Sequence, residues 1–153
     1  MKLVDLLHDD LIFPNLEGTE KEAVLRFMTE KVSETYPEIS SEELYGLIVG
    51  REKLSSTGVG SGIAIPHAKL DAFSKHVIVF GRSELGIQFD SIDHKPVHLI
   101  FMIVGPTSAT ETHLKALARI SKFLHDTSFR EQLIIAQHKK DIYEAIAHKD
   151  AQY

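Results

Sequence analysis

Between Thr19 and Thr35 the apolar residues Ala23, Val24, Phe27, Met28 and Val32 recur every three or four positions. That spacing predicts an amphipathic helix, opened by a capping box of Thr19 with Glu22 and closed before Pro37. Ser40 with Glu43 repeats the start signal, and Leu44, Leu47 and Ile48 form the stripe of a second helix ending near Lys53. The period then changes. His76 to Ser83, "HVIVFGRS", is short, β-branched and aromatic, and Val97 to Gly105, "VHLIFMIVG", is an almost unbroken apolar run, as expected of a strand covered on both faces. The stretch between them, "LGIQFDSIDHKP", is rich in turn formers, with a short strand around Ile87 to Phe89. Gly105-Pro106 stops the long strand. From Thr110 the helical period returns, with Leu114, Leu117, Ala118, Ser121 and Leu124 on one face. Ser128 with Glu131 opens a short helix through Ala136, and Asp141 to Ala147 reads as a last one. Helices lie on both sides of the strands with no repeat or linker between them. The expected fold is one α/β domain over residues 1–153, a small sheet with helices over both faces.

Composition removes several function classes. A formal net charge of -5 carries no electrostatic footprint for nucleic acid, which asks for clustered Lys and Arg. The absence of cysteine excludes disulfides and thiolate zinc sites and suits a reducing cytoplasm. The start, "MKLVDLLHDDLIFP", carries the acidic pair Asp9 and Asp10 and no small-residue cleavage site, so no secretory signal is expected. No apolar run reaches membrane-spanning length.

The chemistry is concentrated in "STGVGSGIAIPHAK", Ser56 to Lys69. Gly58, Gly60 and Gly62 are equally spaced and lead into apolar residues, so they satisfy neither the G-x-G-x-x-G dinucleotide fingerprint nor a phosphate-loop motif, where Lys and Ser or Thr would follow the last glycine. The expectation is an irregular, close-packed loop with free backbone N–H groups able to form an anion-binding concavity. Ile63 to Ile65 reads as a short buried strand, and Pro66 restricts the direction in which His67 leaves it.

With nine histidines in the chain, the others need weighing. His94 and His98 are four apart but Pro96 lies between them and no carboxylate accompanies them, so no metal site is read there. His98 is read as structural, His8, His138 and His148 as solvated or helix-surface residues, and His125 as a cation at a helix C-terminus. Gly60-Ser61-Gly62 lacks the outer spacing of a nucleophile elbow. His113, in the first turn of the helix from Thr110, is either an exposed first-turn histidine or a neighbour of an anion held at that helix end, with Ser108, Thr110 and Thr112 beside it.

The run Ile63-Ala64-Ile65-Pro66-His67-Ala68, with Val59-Gly60 and Glu52 upstream, resembles the signature of the IIA components of the bacterial phosphoenolpyruvate-dependent phosphotransferase system, mannitol/fructose type. The resemblance runs over nearly the whole chain, and "REKLSSTGVGSGIAIPHAKL" and "THLKALARISKFL" are similar to the nitrogen-regulatory branch in particular. Ala68 stands where glycine is common in that branch. The resemblance implies a mixed sheet flanked by helices and a phosphocarrier rather than a stand-alone enzyme, needing no cofactor or metal. It implies that His67 accepts a phosphoryl group on Nε2 from an HPr-like carrier protein, that His113 holds the phosphate without accepting it, and that Arg51 lies near the site. Ser56 and Thr57, with Gly58 and Gly60, take the place of the loop that borders the phosphate. Two outputs are implied: a regulator acting on potassium-transport or sensor proteins, which a free-standing chain favours, or a sugar-transport subunit passing phosphate to a IIB domain.

Overall fold

The computed structural model describes residues 1–153. Its centre is β6, Val97–Pro106, the long apolar run, where every residue but His98 is buried. A strand so uniformly apolar needs neighbours on both edges and helices over both faces, and it has them. On one edge β5, Val77–Ile87, runs antiparallel to it, and β1, Leu7–Phe13, lies parallel to β5 as the outermost strand. On the other edge the short strands β3, Ile63–Ala64, and β4, His67–Leu70, lie parallel to β6 one after the other, and β2, Gly58–Gly60, pairs antiparallel with β3. The sheet is six-stranded and mixed.

The period-2 alternation of the two long strands divides the core into two layers. Val77, Val79, Ile100, Met102 and Val104 face α1, Lys21–Thr35, and α2, Ser41–Leu54, through Val24, Met28, Leu44 and Ile48. Ile78, Phe80, Leu99, Phe101 and Ile103 face α3, Thr110–Leu124, α4, Thr127–Ile135, and α5, Lys139–Ala151, through Ile120, Phe123, Phe129 and Ile142.

Several boundaries differ from the sequence reading, each for a local reason. α1 starts at Lys21 without a side-chain cap, because Thr19 and Glu20 are held extended: Gln88 donates its amide to the Thr19 carbonyl, and Glu20 bridges Gln88. Ser40 does cap α2, accepting from the Glu43 amide. The short strand expected at Ile87 to Phe89 is the far end of β5, where Ile87 pairs with Val97 across a register shift. Asp126 caps α4 in place of Ser128, and His138, exposed as expected, stands just before α5 with Asp141 accepting its amide. β1 was not expected: its Asp9-Asp10 pair breaks the alternation at a register shift between Leu7 and Ile12.

One difference bears on function. The face of α3 that docks on the sheet is His113, Ala116, Ile120, Phe123 and Leu124, while Leu114 is 58% exposed and Ala118 and Ser121 face outward. Burying Ile120 and Phe123 removes more apolar surface from water than burying Ala118 and Ser121 would, so the helix turns by about one position. The turn carries His113 inward, leaving it 1% exposed.

Candidate functional site

Pro66 separates β3 from β4. It offers no N–H, but its carbonyl accepts from the Ile103 amide, so both short strands stay on β6 while the chain steps between them. His67 is the first residue of β4, with Ile103 as its Cα partner. Its Nδ1 lies 3.0 Å from the Ile65 carbonyl oxygen. A carbonyl only accepts, so Nδ1 carries the proton and Nε2 presents its lone pair. A series of buried bonds stands behind this one. The Ile65 amide donates to the Thr57 carbonyl, the Thr57 amide donates to the Glu52 carboxylate at 3.1 and 3.2 Å, and Glu52 pairs with Lys21 at 2.8 Å. The first turn of α1 is thus linked through α2 to the nucleophilic face of one imidazole.

The ring of His113 meets that of His67 at 5.3 Å between centroids, with 62° between their planes. Both nitrogens of His113 are buried and have no partner. Burial first, then the charges of His67, Lys69 and His76, depress its pKa to about 4, so His113 is neutral at physiological pH. A neutral imidazole has one N–H to donate and one lone pair to accept with. The first turn of α3 begins at Ala109, which provides no side-chain cap, and the first intrahelical bond is that of the His113 amide to the Ala109 carbonyl. The helix therefore presents uncapped amides beside the two rings, an arrangement that favours an anion.

Two residues of the site escaped the sequence reading. Lys69 stands two positions after His67 on the same face of β4, and its ammonium donates to the Thr110 hydroxyl at 3.3 Å, at the start of α3. The i, i+2 spacing in "HAK" is the signal that would have found it. His76 precedes β5, and its ring lies 6.1 Å from that of His113. It sits against Gly105: a Cβ there would fall 2.3 Å from the ring, so only glycine leaves room for it.

The remaining expected residues are placed differently. Arg51 donates to the Ser55 carbonyl at 2.8 Å and bonds to neither histidine. The Ser56 hydroxyl donates to the Phe89 carbonyl and accepts from the Gly58 amide. Gly58 packs so closely on Ser91 that a Cβ would lie 2.3 Å from its hydroxyl. Two of the Gly58–Gly62 amides expected to be free for an anion are engaged within the chain, Gly58 to Ser56 and Ser61 to Asp93, as is the preceding Thr57 amide to Glu52. The glycines form a hairpin whose tip takes positive φ at Gly60, Ser61 and Gly62. That tip shares a hollow of about 170 Å³ with Ser121, Leu124 and His125. Those residues end α3, roughly 16 Å of helix from His113. The structure brings His67, His113, Lys69, Thr110 and His76 together and leaves Gly60 apart from them.

His98 donates from Nδ1 to the Ser83 carbonyl at 2.8 Å, as a strand-bound structural residue, and His125 follows the last turn of α3. No helix is long and apolar enough to cross a membrane.

The chain is 40% identical over 151 residues to the fructose-specific EIIABC component of the phosphotransferase system of Bacillus subtilis, covering 98% of this chain but only 24% of that relative's length. It is 35% identical over 147 residues to the nitrogen regulatory protein of Bradyrhizobium diazoefficiens, covering 96% of this chain and 95% of the relative. The crystal structure of nitrogen regulatory protein IIA-Ntr from Neisseria meningitidis superimposes with a TM-score of 0.87 at 28% identity, over 94% of this chain and 97% of that one. Residues 5–149 match the model of the phosphoenolpyruvate-dependent sugar phosphotransferase system EIIA 2 family, and the chain belongs to that family.

Proposed function

We propose that this chain is a phosphohistidine carrier of the phosphotransferase system: Nε2 of His67 takes a phosphoryl group from the phosphohistidine of a small HPr-like protein. The observation that carries the reading is the bond between His67 Nδ1 and the Ile65 carbonyl, which leaves Nε2 unprotonated beside a neutral, partnerless His113. In the transfer the Nε2 lone pair forms the new N–P bond, the N–P bond to the carrier breaks, and the carrier's imidazole keeps that electron pair. Such a transition state is loose and asks for positioning and charge stabilisation more than for covalent help. His113 donates its N–H to a phosphoryl oxygen, and the Lys69 ammonium with the uncapped amides of α3 takes up the negative charge. The family resemblance gives Arg51, whose guanidinium donates to the Ser55 carbonyl here, a place near the phosphate as well. Ser56, Thr57 and Gly58 hold the backbone behind His67, and no metal or cofactor has a part.

The acceptor is tested by incubating the chain with phosphoenolpyruvate, the first enzyme of the system and the carrier, beside His67→Ala. Labelling of wild type alone is expected, and equal labelling of the variant would sink the assignment. For the onward step, the match to a nitrogen regulatory protein over 95% of its length favours a cytoplasmic regulator whose phosphorylation state changes its binding to transport or sensor proteins. The 40% identity to the fructose-specific component favours transfer to a IIB domain. Mixing the phosphorylated chain with a fructose-type IIB domain separates them, since only the transport reading expects rapid loss of label to it.

A further inference from the structure

The proposed transfer leaves one feature of the site unexplained. Five buried side-chain atoms in the chain lack a hydrogen-bond partner, and three of them are His113 Nδ1, His113 Nε2 and His76 Nε2. Interiors tolerate few such atoms, so three in one row of rings mark a place where bonds form in another state of the molecule. A phosphoryl oxygen on His67 supplies a partner for one nitrogen of His113 and leaves its other nitrogen, and that of His76, unaccounted for. These two belong to neighbouring rings 6.1 Å apart, tilted by 49°. From that separation an approach of about 1 Å brings facing ring nitrogens to hydrogen-bond distance, and bonds in such sites commonly tighten only once the reacting group is bound.

We infer that His76 is a positioning residue for His113: its Nε2–H donates to the far nitrogen of His113 when His67 carries the phosphoryl group. A neutral imidazole holds a single proton. Occupying the far nitrogen as an acceptor therefore commits that proton to the nitrogen facing the phosphate, where it is needed as a donor. The fold keeps His76 in place for this. The pairing of Val77 with Val104 puts His76 alongside Gly105, and a side chain at 105 would displace the ring. Burial lowers the pKa of His76, which keeps it neutral, so it approaches His113 without adding a second positive charge next to Lys69. His67 and Lys69 from β4 and Thr110 from α3 are the other polar groups around His113, and none of them is bonded to either of its nitrogens.

This inference rests on His67 being the acceptor. The test uses the full chain as wild type, His76→Phe, which keeps a ring and removes the donor, and His76→Gln, which returns an N–H near the position of Nε2. Nitrogen-15 spectra of the phosphorylated proteins report the tautomer of His113, thermal melting reports folding, and labelling with phosphorylated carrier reports rate. The expected result is a single His113 tautomer in wild type, mixed tautomers and about tenfold slower labelling in His76→Phe, and recovery of most of the rate in His76→Gln. Wild-type rate and tautomer in His76→Phe, or a Gln variant as slow as the Phe variant with both folded, would overturn it. If His76→Phe does not fold, His76→Leu takes its place with the same expectations. Failure of wild type to label at His67 would instead overturn the carrier reading itself.

Discussion

Two buried polar clusters lie on opposite sides of β4, and they are built on opposite principles. On the α1–α2 side, Lys21, Glu52 and the Thr57 amide satisfy one another: the ammonium pairs with the carboxylate, donates to the Phe89 carbonyl and sits 4.6 Å over the Phe89 ring, and the carboxylate takes the amide with both oxygens. On the α3 side, His113 and His76 bury three nitrogens with nothing bonded to them. The closed cluster is scaffold, since it fixes Thr57, hence Ile65, hence the tautomer of His67. The open cluster is the part that can change partners. A buried polar group without a partner costs about 1–3 kcal/mol, and a fold retains that cost where the missing partner arrives with a substrate.

The sharpest way to break the contrast is to open the closed cluster. Glu52→Gln keeps an acceptor for the Thr57 amide but leaves the Lys21 ammonium buried without its counter-charge, and the expected loss is about 3–5 kcal/mol in urea unfolding. Adding Lys21→Met removes the stranded charge, and the double variant should regain more than half of that loss. A single variant within about 1 kcal/mol of wild type would show that this cluster is not structural. A smaller effect is expected on the open side. Gly105→Ala places a methyl group where His76 now lies, 2.3 Å from its ring, and should cost about 1–3 kcal/mol. Its second signature is a change in the His113 imidazole resonances, because the displaced ring no longer lies as it does beside its neighbour. A melting temperature and spectrum like those of wild type would mean the His76 ring swings out to solvent without consequence.

The contrast was only half legible in the sequence. The two layers of the core followed from periodicity: the unbroken run Val97 to Gly105 and the helical stripes around Val24 and Leu44 are where they were expected. The rigid delivery of His67 by Pro66 was legible too, because proline restricts the backbone through local geometry alone. What escaped depended on pairs distant in sequence. His113 could not be assigned to the inside of α3 until the competition between Ile120 with Phe123 and Leu114 with Ala118 was decided by docking. His76 acquires meaning only from the strand register that sets it beside Gly105, and the Thr57, Gly58 and Ser61 amides found partners in Glu52, Ser56 and Asp93. The Asp9-Asp10 interruption hid β1 in the same way, since a register shift is invisible to a period count.

The last prediction concerns protons. The pKa of His113 falls from an ordinary 6.5 in the unfolded chain to about 4 in the fold. Between those values the unfolded chain binds a proton that the folded chain refuses, so stability rises with pH through this window and falls as the solution is acidified. The neutral side chain contributes its full share above about pH 6.5, and the loss approaches about 1.4 kcal/mol per pH unit inside the window before levelling off below pH 4. His113→Leu removes both the titration and the two orphaned nitrogens, so its stability should vary less between pH 6.5 and 4.5 and should equal or exceed that of wild type at pH 5. Phosphoryl transfer through that variant should nonetheless fall at least tenfold, because the donor to the phosphate is gone. Urea midpoints at pH 5 and pH 7 check the first expectation and the labelling assay the second. A variant that is less stable than wild type at both pH values would place His113 with the closed cluster, as a structural residue.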